Sequence, residues 1–179
     1  MIITTAAFDY LKTRKKLWFK ALVAVVPALT AWLLMRFATP ISTTIVISDV
    51  FSDFVNVQIS AAAILISFSI AIITILVSAD NANITRLKER HSTDCKPLKS
   101  KPLSLFQILL SNITYNVLVE VLYLGLLIVL VFVRLYVSDA VCKILMAVCV
   151  FFVAHILHIL LESVGQMYLT FWKHEDSER

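Results

Sequence analysis

Apolar residues gather into four long blocks parted by short polar runs, at about 17–35, 54–79, 113–133 and 140–161. The blocks are continuous rather than scattered at helical or strand period, and each is close to the length needed to cross a hydrocarbon core of about 30 Å. The pattern predicts an all-α polytopic membrane protein, with four transmembrane helices in a single domain over 1–179.

Helix signals extend two of the blocks. Ser104 is followed three residues later by Gln107, just after Pro102, which is the signature of a capping box. A helix from Ser104 to Val137 would measure about 51 Å at about 1.5 Å per residue, well beyond the hydrocarbon thickness. The stretch Ser78 to Arg90 holds no proline or glycine, so it can carry the second helix inward in the same way. The segment His91–Lys101, with Pro97, is the expected turn between them, making 80–112 a region of cytoplasmic helical extensions of helices 2 and 3. Ser48 or Asp49 is the expected cap of the second helix. Ser138 is the expected centre of the last hairpin, and Pro27 can bend the first helix.

Composition agrees with this architecture. Of 179 residues, 60% are hydrophobic and 16% charged, with a mean hydropathy of +0.88, more apolar surface than a soluble domain of this length can hide. Two glycines leave no glycine-rich phosphate loop to place. Three cysteines without a C-x-x-C pair indicate neither a zinc knuckle nor a disulfide framework.

Charge gives the orientation. About 13 of the 16 Lys and Arg residues lie before or in the first turn of the first span, between the second and third, or after the fourth; only Arg36, Arg134 and Lys143 flank the other ends. Positive residues are retained in the cytoplasm, so both termini and the central loop are expected there. The same rule accounts for the net charge of +4, and no direct nucleic-acid contact is expected.

The polar exceptions carry the candidate chemistry. Ser60, Ser67, Thr74 and Ser78, with Ala63 and Ala71, share one face of the second span, as a helix-packing seam or as a pore-lining stripe. In the third span Asn112, Asn116 and Glu120 repeat every four residues; in the fourth His155, His158 and Glu162 share a face. Folding about Ser138 sets Glu120 at the depth of the two histidines and Asn112 opposite Val164 to Gln166, which defines an intramembrane polar layer. A carboxylate there costs about 2.5 to 3.5 kcal/mol and calls for a partner, a proton or water. Pairing, proton or ion passage, and metal binding through His155, His158 and Glu162 all remain open. Leu105, Phe106 and Leu109, with Trp172, supply more apolar surface than a solvated stalk needs, either for internal packing or for docking a partner.

The span-two exit Ser78 to Arg90, followed by Ser104-Leu105-Phe106-Gln107-Ile108-Leu109-Leu110-Ser111-Asn112, resembles the layout of small four-span inner-membrane proteins of bacterial anti-phage defence operons, such as the membrane subunit of the Kiwa system. The resemblance implies a multi-pass protein of the cell inner membrane that forms homo-oligomers and works with a soluble cytoplasmic effector. It carries no catalytic motif. The expected function is thus a non-enzymatic membrane sensor or scaffold, without cofactor or metal, that recruits or restrains an effector. The alternative is an oligomeric ion channel or pore that depolarises the membrane.

Overall fold

The computed structural model describes residues 10–12, 17–37, 46–78, 82–91 and 102–172. Regular structure among them is helical: α1 (Leu17–Phe37), α2 (Ile47–Ser78), α3 (Ala82–Glu89), α4 (Leu105–Val133) and α5 (Asp139–Trp172), plus one isolated antiparallel bridge between His91 and Ser104. Four of these helices, all but α3, are long and apolar enough to cross a membrane.

The helix ends follow from local chemistry. At the start of α4 the capping box is complete: the Ser104 N–H donates to Gln107 Oε1 at 3.0 Å, and the Gln107 N–H donates to Ser104 Oγ at 3.2 Å. The α4 helix stops at Val133, short of the expected Val137, because the N–H groups of Leu135 and Tyr136 turn back to the carbonyls of Phe132 and Val133 in a tighter final turn. The Ser138 carbonyl then accepts the Cys142 N–H at 3.0 Å and opens α5. The start of α2 is displaced from the expected Ser48 or Asp49. The Val46 carbonyl accepts the N–H groups of Asp49 and Val50, so a backbone oxygen makes the first helical bonds and Asp49 falls inside the first turn, where its charge favours the helix dipole. The α2 helix ends at Ser78 and α3 is a separate helix from Ala82; residues 79–81, on which a continuous extension depends, lie outside the described residues.

The chain gathers into two compact units. The first comprises Met1–Leu17, Phe68–Leu118 and Leu157–Arg179. Its core is Leu76, Ile84, Leu87, Leu109 and Ile113, with Ile72, Ile73, Leu105, Phe106 and Met167 packed against it. The short helix α3 is therefore amphipathic: Ile84 and Leu87 turn inward at helical spacing, while Thr85, Lys88 and Glu89 are exposed. The Leu105 N–H donates to the Arg90 carbonyl at 2.8 Å and joins the two arms of this hairpin. The expected turn at 91–101 lies, beyond His91, outside the described residues. Tyr10 is also buried in this unit, its ring stacked on Tyr115 with centroids 4.2 Å apart.

The second unit comprises Trp18–Ser67 and Val119–Ile156. It buries Phe51, Val55 and Ala62 of α2, Tyr123, Leu127 and Leu130 of α4, and Cys142, Met146 and Cys149 of α5. Arg134, which closes α4, donates to Ser52 Oγ in the first turns of α2 instead of extending to the head groups, as its position at a span end suggests. The α1 helix takes little part in packing. Only 6% of its span is buried, against 33% for α4, so most of its apolar side chains are exposed.

Candidate functional site

Asn112, Asn116 and Glu120 follow one another at four-residue spacing on α4, and all three are 0% exposed. Full burial decides their environment: these side chains look into protein and away from hydrocarbon, as polar groups on a spanning helix must. On α5, His155, His158 and Glu162 are half-buried, beside the buried Ile156, Ile159 and Ser163.

The six residues belong to two groups. In the first unit are Asn112, Asn116, His158 and Glu162. Asn112 Nδ2 donates to Gln166 Oε1 at 3.1 Å, and Gln166 Nε2 donates to Glu162 Oε1 at 3.2 Å. Asn112 thus meets the position that a hairpin folded about Ser138 assigns to it. The relay runs from amide to amide to carboxylate, and each step gives a polar group inside a spanning helix a partner. Ser163, also buried, donates to the Ile159 carbonyl of its own helix.

In the second unit are Glu120 and His155, together with groups that the periodicity did not single out. The Tyr123 hydroxyl, one turn beyond Glu120, donates to Gln58 Oε1 of α2 at 3.3 Å, and its ring stacks on Phe152 with centroids 5.5 Å apart. Phe152 meets Phe151 edge to face, and the Phe151 ring is parallel to that of His155. Cys149 is a free and buried thiol in the same unit. Gln58 could have been found as one of two amides, with Asn56, in the second apolar block; its partner, 65 residues away, could not.

Among the described residues no three His, Cys, Asp or Glu side chains converge as metal ligands. His155, His158 and Glu162 therefore do not form the tripod that their spacing allows.

Ser60, Ser67, Thr74 and Ser78 are exposed, as are Ala63 and Ala71. The buried face of α2 is instead Val55, Ala62, Ser69 and Leu76, seven residues apart. Ser60, Ser67 and Thr74 stand five residues further on, about 140° around the helix at about 100° per residue. Each hydroxyl of the stripe donates to the carbonyl four residues earlier: Ser60 to Asn56, Ser67 to Ala63, Thr74 to Ile70 and Ser78 to Thr74. Within one chain the stripe is not a packing seam.

Of the expected docking residues, Leu109 is 2% exposed inside the core of the first unit, and Leu105 and Phe106 are half-buried against that core. Their apolar surface is spent on internal packing. Lys88 lies over the Phe106 ring, 5.4 Å from its centroid, and screens it further. Trp172 ends α5, and its side chain lies outside the described residues.

No protein-family model, curated protein or solved structure matches this chain. The chain's own arrangement offers two polar groups, an exposed small-residue stripe, and a polar hairpin resting on an apolar core.

Proposed function

We propose that the chain is a non-enzymatic sensor or scaffold of the bacterial inner membrane, with both termini and the 80–112 region in the cytoplasm. It assembles with further copies of itself and holds a soluble effector at the cytoplasmic face, in an anti-phage defence setting. The observation that carries this reading is the α3–α4 hairpin. Lys88 and Glu89, with Arg90 just past its end, make α3 unfit for hydrocarbon, yet Ile84 and Leu87 anchor it on a core shared with α2 and α4. A polar helix fixed in this way is a preformed platform. Its exposed Thr85, Lys88 and Glu89 offer a partner mixed charge, with Leu105, Phe106 and Leu109 supporting it from beneath.

The lopsided distribution of basic residues supports the orientation, and the resemblance to defence-operon proteins supplies the setting. The stripe Ser60, Ser67, Thr74 and Ser78 supports self-association: its hydroxyls are already satisfied, so another helix can approach a low, flat surface without breaking a hydrogen bond. Affinity purification of the full chain after cross-linking in its native host tests the recruitment. A soluble partner that is retained by the parent and lost with Glu89→Lys is the expected result. A partner kept by Glu89→Lys, or no partner at all, overturns the platform.

The second reading, an oligomeric pore, draws on the same stripe, since hydroxyls bonded to their own backbone retain lone pairs for water. Conductance in liposomes containing this protein alone would decide in its favour.

A further inference from the structure

Two of the three basic residues on the sparsely charged side of the spans line one cavity. Trp32 and Arg36 are four residues apart on the last turns of α1; Ala140, Lys143 and Ile144 share a face on the first turns of α5. Together they border an open cavity of about 350 Å³ within the second unit, a volume at the lower end of that found for small-molecule sites. Arg36 is exposed, and Trp32 and Lys143 are half-buried.

Three physical features give this cavity a preference. A guanidinium and an ammonium bordering the same space repel each other, and an anion between them turns that repulsion into two charge-assisted contacts. The amino terminus of the 34-residue α5 adds partial positive charge at the same place. The cavity also stands at the ends of two spans, where apolar surface gives way to head groups and where an amphipathic indole is at home. Exposed Leu29 and Val25 continue down α1 below Trp32 and offer an apolar track in the direction an acyl chain would take. One acidic group competes: Asp139, exposed and four residues before Lys143, can pair with it along the helix, a contact of little value at an exposed site.

We propose that this cavity holds the phosphodiester head group of an anionic membrane phospholipid, with Arg36 and Lys143 on its phosphate oxygens and Trp32 at the level of the glycerol. The proposal rests on the reading of α1 and α5 as membrane spans. Two basic groups together contribute about thirtyfold in affinity for an anionic head group at a membrane surface.

The test is native mass spectrometry of the full chain in mild detergent, titrated with phosphatidylglycerol, with phosphatidylcholine, and with inorganic phosphate as competitor. The wild type is expected to retain phosphatidylglycerol over phosphatidylcholine, even with phosphate present. The R36Q/K143Q variant is expected to lose that preference by about thirtyfold, R36K/K143R to restore it, and Lys20→Gln, on α1 near its other end, to leave it unchanged. Monodisperse elution and an unchanged melt of R36Q/K143Q separate loss of the site from loss of the fold. Equal retention by R36Q/K143Q, or displacement of the lipid by inorganic phosphate, overturns the proposal. Extraction of the wild type from membranes by alkaline carbonate, read before any lipid is added, overturns the spanning reading itself.

Discussion

Asn112 donates a hydrogen bond to Gln166 across 54 residues of sequence, joining the early turns of α4 to the late turns of α5. Hydrogen bonds between spanning helices contribute about 0.6 kcal/mol on average and at most about 1.7 kcal/mol. A double-mutant cycle with Asn112→Leu and Gln166→Leu, followed by thermal melting in detergent, is expected to return a coupling in that range. A coupling of zero would show that the two amides do not share this bond in solution.

The capping box that begins α4 predicts a local effect. Ser104→Ala removes the acceptor for the Gln107 N–H and is expected to cost about 1 kcal/mol. Hydrogen exchange should quicken in the first turn of α4 and stay unchanged beyond Leu118. Uniform protection would contradict the role of Ser104.

Leu109 distinguishes an internal core from a docking surface. Buried at 2% exposure among Leu76, Leu87 and Ile113, it should cost about 2 to 5 kcal/mol when replaced by Ala, and the α3–α4 hairpin should become sensitive to protease. Glu89→Lys, on the exposed side, should alter stability by no more than about 0.5 kcal/mol. Loss of partner binding in Leu109→Ala with an unchanged melt would return Leu109 to the surface.

Much of this arrangement follows from sequence, for reasons that particular residues make plain. The four spans, the Ser104–Gln107 box and the pairing of Asn112 with Gln166 depend on length, on a three-residue spacing and on helical period about a known turn. Each is either local or one hairpin away. The face that α2 buries was not legible. Val55, Ala62, Ser69 and Leu76 mix small and large side chains without the regular small-residue period of Ser60, Ser67 and Thr74, and in lipid neither face gains a hydrophobic advantage over the other. Shape complementarity with α4 and α5 selects the face, and shape is not written in period. Arg134 with Ser52 and Tyr123 with Gln58 are likewise long-range choices, as is the burial of Tyr10 against Tyr115 from a segment whose only sequence signal is its charge.

Glu120 separates packing from function. Gln has its shape without its ionisable proton, so Glu120→Gln is expected to accumulate in membranes and melt within about 1 kcal/mol of the parent. Glu120→Lys places a longer cation at a site with no solvent exposure and should fail to accumulate. Loss of the proposed effector recruitment in a stable Glu120→Gln protein would assign the carboxylate a role beyond packing. Full activity would confine it to packing.

Because His91 and Ser104 face each other in a single antiparallel bridge, the chain leaves the hairpin and re-enters it at one point. Opposite residues in such a bridge stand about 5 Å apart. Whatever is spliced between them need only have neighbouring termini of its own, and quadrupling the length of the connection adds only about 1.2 kcal/mol of closure entropy. The hairpin mouth is thus a graft point: a fluorescent domain inserted there would leave the helices in register and show which side of the bilayer they face.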